Sequence, residues 1–205
     1  RAEPNRAHYA LAELEQLGAV SGVITQNVDG LHARAGSSSL LALHGDLSRI
    51  VCLDCGQDES RESLDTRLDA ANLGYLARLE DEELRVNPDG DVELDDRYIR
   101  DFQMVSCLAC GSTRLKPDVV YFGESVPAER KARKDAMLAE CSALLVVGSS
   151  VAVMSSYKIV LEALRAGKPV AIINGGPGRA DTKATFLWRT GVGEALELML
   201  DAIDG

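Results

Sequence analysis

Short apolar runs alternate with amphipathic stretches along most of this chain. Ala7, Ala10, Leu11, Leu14 and Leu17 recur every three or four residues, the spacing that lines one face of a helix. With Pro4 near its start and Gly18 as its stop, a helix is expected over 5–17. Further helices are expected over 128–141, over 155–166 with Gly167 as the stop, and over 194–203. Between them lie four- to six-residue apolar runs at 20–25, 40–44, 118–122, 143–147 and 169–173, and an edge strand at 184–188. Short buried strands alternating with helices specify a parallel sheet covered on both faces, an α/β fold.

Residues 58–101 break this rhythm. The first part, 60–79, is compatible with a helix, and Asn87-Pro-Asp-Gly-Asp91 is a turn signal. The run Glu80-Asp-Glu-Glu83 reads as a solvated helix end or as a docking patch. Flanking the interruption are Cys52-Leu-Asp-Cys55-Gly and Cys107-Leu-Ala-Cys110-Gly. Two such pairs suit four-thiolate zinc binding, each followed by the glycine a tight turn favours. Disulfides are the alternative, set against an odd fifth cysteine and no signal peptide. Four sulfur ligands close a zinc site, so it would hold structure and perform no chemistry. Cys141, ahead of an apolar run, reads as a small buried hydrophobe. The expected organisation is one domain over 1–50 and 112–205, with a zinc module at 51–111.

Composition narrows the function classes. The 205 residues carry 32 acids against 22 bases, a net charge of −10, with 46% hydrophobic residues. Such a balance argues against holding nucleic acid by phosphate contacts. No apolar run approaches the roughly 20 residues of a membrane-spanning helix, which argues against an integral membrane protein. The charge is local: residues 57–101 hold 15 acids and 6 bases, a net of −9.

In open α/β sheets, ligands bind beyond the carboxyl ends of the strands. Those ends here read Gln26-Asn27-Val28-Asp29-Gly30, His44-Gly45, Gly123-Glu124, Gly148-Ser149-Ser150 and Asn174-Gly175-Gly176-Pro177-Gly178. Small and amide residues at such turns let backbone N–H groups approach phosphate or ribose, which suggests a nucleotide-sized crevice. Asn27 and Asp29 have a bland alternative as caps of the following short helix. His44 is placed either to serve as a general base or to be structural. His8 and His32 read as structural. Gly191-Val-Gly193 is only half a dinucleotide fingerprint and is discounted.

In order and context, Thr25-Gln-Asn-Val-Asp-Gly-Leu-His32, His44-Gly45, the two cysteine pairs, Lys116-Pro-Asp-Val-Val-Tyr-Phe-Gly-Glu124, Gly148-Ser-Ser150 and Asn174-Gly-Gly-Pro177 resemble the sirtuins. The resemblance runs from about Pro4 to the end. It is greatest to the class II branch, which takes in the fourth human, mitochondrial sirtuin and many bacterial relatives. It implies a parallel Rossmann-like sheet with an inserted zinc module. The implied activity is NAD-dependent removal of acyl groups from protein lysine, giving nicotinamide and O-acyl-ADP-ribose. It further implies that the acyl oxygen attacks the ribose carbon, and that His44 deprotonates a ribose hydroxyl. Asn27 would position ribose and water, and Asp29 would hold the nicotinamide amide. Gln26, Val28, Gly148, Ser149, Ser150, Asn174, Gly175, Gly176 and Val192 would contact NAD. Val120, Phe122 and Gly123 would pair with an acyl-lysine peptide as an added strand. Cys52, Cys55, Cys107 and Cys110 would hold one structural zinc ion. The location implied is cytoplasmic for a bacterial chain and the mitochondrial matrix for a eukaryotic one.

Two departures from the family pattern stand out. Gly178 replaces a threonine before Arg179, losing a hydroxyl contact. The glycine-rich NAD phosphate loop of the first βα unit is absent, and the chain opens Arg1-Ala-Glu-Pro4 without an initiator Met. It therefore reads as starting inside a longer chain, with a sheet lacking a central strand. Alternatives to deacylation are ADP-ribosyl transfer, lipoamide cleavage, or a non-catalytic zinc-bearing interaction module.

Overall fold

The computed structural model describes residues 2–80 and 96–204. The turn expected at 87–91 and most of the acidic run 80–83 lie outside the described residues. The chain divides into two compact units, Arg1–Gly45 with Val120–Gly205, and Asp46–Val119.

The first unit is built on parallel strands. β1 (Val23–Thr25) pairs with β2 (Leu40–Ala42), Val23 opposite Leu40. β6 (Leu144–Val147), β7 (Val170–Ile173) and β8 (Phe186–Trp188) form a second parallel ladder in that order. No ladder joins β1 to β6 among the described residues. β7 is buried on both faces, which accounts for its continuous apolar run. Helices α6 (Ala128–Glu140) and α7 (Met154–Arg165) cover one face. There Leu138, Ile159, Val160 and Ala163 meet Leu41, Val146, Val170 and Ile172. Helices α1 (Arg6–Gln16) and α8 (Val192–Asp204) pack with Val147 of β6, around Ala10, Leu14 and Leu196. Each buried aliphatic side chain contributes about 1.5–3 kcal/mol.

Local signals explain the helix limits. The Asn5 side chain accepts the N–H groups of Ala7 and His8, and the Asn5 N–H donates back to His8 Nδ1 at 3.3 Å, a reciprocal cap. Gly18 leaves α1 with φ +76°. Gly193 lies where an added Cβ would strike Arg6, and Arg6 pairs with Glu197 at 3.1 Å. Of the discounted glycine pair, Gly193 therefore serves the contact between α1 and α8.

The second unit centres on β3 (Gly45–Cys52), flanked by β4 (Asp58–Ser60) and β5 (Leu115–Val119). Pairing of β3 with β4 is antiparallel, with Ile50 opposite Glu59. The strand expected at 118–122 is displaced: β5 ends at Val119 and Phe122 is fully exposed. The apolar run that suggested a strand there continues into an exposed turn, where the Glu124 N–H donates to the Tyr121 carbonyl at 3.0 Å. The helix-compatible stretch 60–79 splits into α3 (Arg61–Ala71) and α4 (Tyr75–Glu80), with Gly74 at φ +73° between them. A further helix, α5 (Asp96–Asp101), meets α4 where Tyr75 donates its hydroxyl to the Tyr98 carbonyl at 3.1 Å. Arg67 on α3 donates to both carboxylate oxygens of Glu59, at 2.9 and 2.6 Å, and to the Ser106 carbonyl at 2.7 Å.

Candidate active site and metal cage

The four paired cysteines come together from chain segments more than fifty residues apart. Their Sγ atoms all lie within 4.8 Å of one another. Cys52 and Cys110 are 3.6 Å apart, and Cys55 and Cys107 are 3.7 Å apart. Disulfide sulfurs would be about 2.05 Å apart. Four sulfurs each about 2.3 Å from a tetrahedral zinc ion are separated by about 3.8 Å. The spacing therefore fits zinc, and all five cysteines are free thiols. Each knuckle closes through its glycine. Gly56 (φ +75°) donates to the Cys52 carbonyl at 2.9 Å, and Gly111 (φ +76°) to the Cys107 carbonyl at 3.0 Å. Backbone N–H groups of Cys55 and Asp54 directed at Cys52 hold its thiol down to about 7, while the neighbouring sulfurs push Cys55 and Cys110 up. Cys141 is half-buried, its Sγ–H donating to the Leu138 carbonyl at 3.3 Å.

Within the first unit, the carboxyl ends of β1, β6 and β7 supply one connected set of residues. Gln26, directly after β1, donates its amide to Ser149 Oγ at 2.9 Å. Ser149 Oγ also accepts the Val151 N–H at 3.1 Å. Val151 has φ +43°, and among the described residues it is the one non-glycine residue with positive φ, a strained setting for a β-branched side chain. Gly148 (φ +59°) faces Val192: an added Cβ would lie 3.4 Å from the Val192 side chain. The Ser150 carbonyl accepts the Arg179 N–H at 2.8 Å, joining the 148–150 turn to the loop after β7. In that loop Asn174 donates its side-chain amide to the Gly176 carbonyl at 2.8 Å, and Gly175 approaches the Thr190 carbonyl.

His44 follows β2 and is half-buried. Its Nε2 lies 2.8 Å from Ser155 Oγ at the start of α7. Burial holds its pKa below the ordinary 6.5; a hydrogen bond with the Gln26 backbone opposes this, and the positive charge of Arg130 adds to it. The ring is thus neutral near pH 7, as a general base must be. Gln26 and Ser149 are linked through the Gln26 side chain, and His44 is held by Ser155.

Asn27 and Asp29 are exposed. The Asn27 N–H donates to Thr25 Oγ1 at 3.1 Å, leaving its side chain out of any cap. Asp29 Oδ1 accepts the Leu31 N–H at 3.0 Å in the turn ahead of the short helix α2 (Leu31–Arg34), whose N-cap position is Gly30. Val28 is half-buried between them. Val120 is half-buried and donates its N–H to the His44 carbonyl at 2.8 Å, while Phe122 is exposed and Gly123 has φ +88°. His8 and His32 meet at a tilt of 54° with ring centroids 4.6 Å apart, and the charge of Asp29 reaches His32. The motifs missed Ser155, Arg130, Asp181 and Arg189. A lone serine or arginine carries no sequence signal when its partner lies in another element.

A parallel α/β fold with polar strand ends and a four-cysteine cage defines a zinc-stapled, Rossmann-like protein. Residues 1–155 match the profile of the Sir2 family. The chain is 61% identical over 203 residues to NAD-dependent protein deacetylase 1 of Corynebacterium efficiens, covering 99% of this chain and 72% of that protein. It is 42% identical to the NAD-dependent protein lipoamidase sirtuin-4, mitochondrial, of Homo sapiens, covering 96% of this chain and 61% of that one. A solved Sir2–p53 peptide–NAD+ structure matches with a TM-score of 0.72 at 28% identity, covering 98% of this chain and 70% of that one. A Sir2 protein bound to a propionylated peptide gives the same score and identity, covering 98% and 71%. The chain belongs to the Sir2 family, the sirtuins.

Proposed function

We propose that the protein carrying this chain is an NAD-dependent protein lysine deacylase, with deacetylation as its principal reaction. The observation that carries this reading is that paired strands β1 and β2 run into Gln26 and His44, with the Gln26 amide donating to Ser149 Oγ at 2.9 Å. It sets a neutral imidazole at the same sheet end as the small-residue turn where a dinucleotide would lie. The chain's similarity to NAD-dependent protein deacetylases and to peptide-bound Sir2 structures supports the same reading.

On this reading NAD supplies the activated ribose and the nicotinamide leaving group. His44 takes the proton of a ribose hydroxyl. Its orientation is held by Ser155 and the Gln26 backbone. Asn27, with its side chain free of the helix cap, orients ribose and water. Asp29 keeps one carboxylate oxygen on Leu31 and turns the other to the nicotinamide amide. Gln26, Val28, Gly148, Ser149, Ser150, Asn174, Gly175, Gly176 and Val192 form the NAD-binding set. Val120, Phe122 and Gly123 offer backbone groups to an extended acyl-lysine peptide. The zinc cage of Cys52, Cys55, Cys107 and Cys110 holds the fold of its unit and takes no part in the chemistry. On this reading the protein works in the cytoplasm of a bacterium or in the mitochondrial matrix of a eukaryote.

The test is steady-state formation of deacetylated peptide from NAD and an acetyl-lysine peptide, using protein expressed from the complete coding sequence. His44→Ala should lower the rate at least a hundredfold, the scale of a general base. Equal rates in the two proteins would remove the base from His44. Similarity to a lipoamidase favours a second acyl class, so acetyl and lipoyl peptides belong in the same assay. Faster turnover of the lipoyl peptide would make lipoamide cleavage the principal reaction.

A further inference from the structure

The loop after β7 has the composition of a loop that cannot hold its own shape: Asn174, two glycines, Pro177 and Gly178. It is held by side chains from outside the family motifs. Arg189, directly after β8, donates through Nη1 to the Asn174 carbonyl at 3.2 Å and to the Gly176 carbonyl. Its Nη2 pairs with Asp181 Oδ2. That same oxygen accepts the Gly178 N–H at 2.7 Å. One guanidinium and one carboxylate thus engage three backbone groups of a five-residue loop. The planar fork of arginine suits this geometry, which a lysine ammonium cannot reproduce.

Gly178 belongs to the same device. An added Cβ would lie 3.0 Å from Asp181 Oδ1 and 3.3 Å from the Ser150 carbonyl oxygen. A side chain at 178 would displace the carboxylate that accepts the residue's own N–H, or push on the turn after β6. That turn is bound to the next residue, since the Arg179 N–H donates to the Ser150 carbonyl and Arg179 Nη1 to the Ala152 carbonyl at 3.1 Å. Arg179 also lies over the Tyr157 ring, 4.3 Å from its centroid. The departure at 178 therefore has a counterpart in Asp181: carboxylate and glycine occupy the space together.

We infer that Asp181 and Arg189 are positioning residues for the dinucleotide, a latch that fixes the 174–178 loop against the 148–150 turn in the shape that receives the adenosine half of NAD. The latch rests on the deacylase reading. It touches neither the reacting ribose carbon nor the acyl-lysine, so its loss should appear in NAD binding and not in the chemical step.

The experiment measures kcat and KM for NAD and for peptide, with Tm, in the zinc-loaded protein from its complete coding sequence. Arg189→Ala should raise KM for NAD about tenfold, with kcat within twofold and peptide KM unchanged. Asp181→Asn keeps an oxygen for the Gly178 N–H but loses the charge facing Arg189, and should raise it about threefold. Gly178→Ala leaves both partners in place and should raise KM for NAD by crowding the carboxylate, which separates positioning from simple loss of an ion pair. Should Arg189→Ala not fold, the other two variants decide. Lowered Tm with wild-type KM for NAD in the folding variants would overturn the latch as a positioning device. A wild-type protein that neither binds NAD nor releases nicotinamide would sink the deacylase reading, and the latch with it.

Discussion

An imidazole beside an arginine and partly removed from water resists protonation, and His44 meets both conditions. The sign of the pH dependence follows. Above its lowered pKa the folded ring is neutral and able to take a proton, so the acid limb of kcat/KM should lie below pH 6.5. Stability moves the same way: the unfolded ring protonates near 6.5 and the folded ring at lower pH. This contribution falls as pH drops through 6.5 and levels off below the folded value. A pH–rate profile with its acid limb above 6.5 would contradict the assignment. His44 was legible because it stands at a strand end before a glycine. Ser155, whose hydroxyl meets it, was not: 111 positions separate the two, and no local pattern encodes a contact made only by folding.

At the scale of the element, the α3 to β4 junction shows how one side chain can tie a helix to a knuckle. Arg67 joins Glu59 to the Ser106 carbonyl next to Cys107, and Glu59 is 9% exposed. The Arg67 guanidinium bonded to Glu59 keeps that carboxyl below its ordinary range, against the desolvation that raises it. Removing the arginine leaves a nearly buried carboxylate facing no cation. Arg67→Ala should therefore destabilise the protein by about 2–3 kcal/mol, somewhat less than breaking a fully buried pair. Urea unfolding of the zinc-loaded protein measures it, and a change under 0.5 kcal/mol would show the pair to be ornamental. The elements themselves were unevenly readable. Helices with apolar stripes and a glycine stop, α1 and α7, fell within two residues of expectation. β3 escaped notice because Gly45-Asp-Leu-Ser-Arg-Ile-Val-Cys52 mixes exposed Leu47 with buried Ile50 and Cys52, and one of its partners, β5, lies more than sixty residues on. The break between α3 and α4 was marked by Gly74, but a single glycine does not distinguish a stop from a tolerated interior position.

Over the whole molecule, the covering of a parallel core by helices was legible from alternation alone, since continuous apolar runs have few other uses. The division of its strands into two ladders was not, because strand adjacency is a property of folding and not of local pattern. Two compact units also imply two separable stabilities. Stripping zinc with a chelator, or replacing one ligand in Cys52→Ser, should release hydrogen-exchange protection in β3, β4 and β5. Protection in β6 and β7 should persist, because those strands draw on the apolar contacts of α6 and α7. Simultaneous loss of protection in both ladders would mean that the units share one cooperative transition.

The four-sulfur cage has a consequence beyond holding its knuckles. It acts as a clip at the neck of the loop from Cys55 to Cys107. For a flexible loop, doubling the length adds only about 0.6 kcal/mol to the entropy of closure, while a structural zinc site binds its ion with about 10–16 kcal/mol. Stretches inside that neck can lengthen, shorten or change charge without opening it. The clip lets exposed positions of the net −9 stretch change while Arg67, Glu59 and buried Leu64 and Tyr75 keep its helices in place, and the strand ends carrying His44 and Gln26 stay as they are.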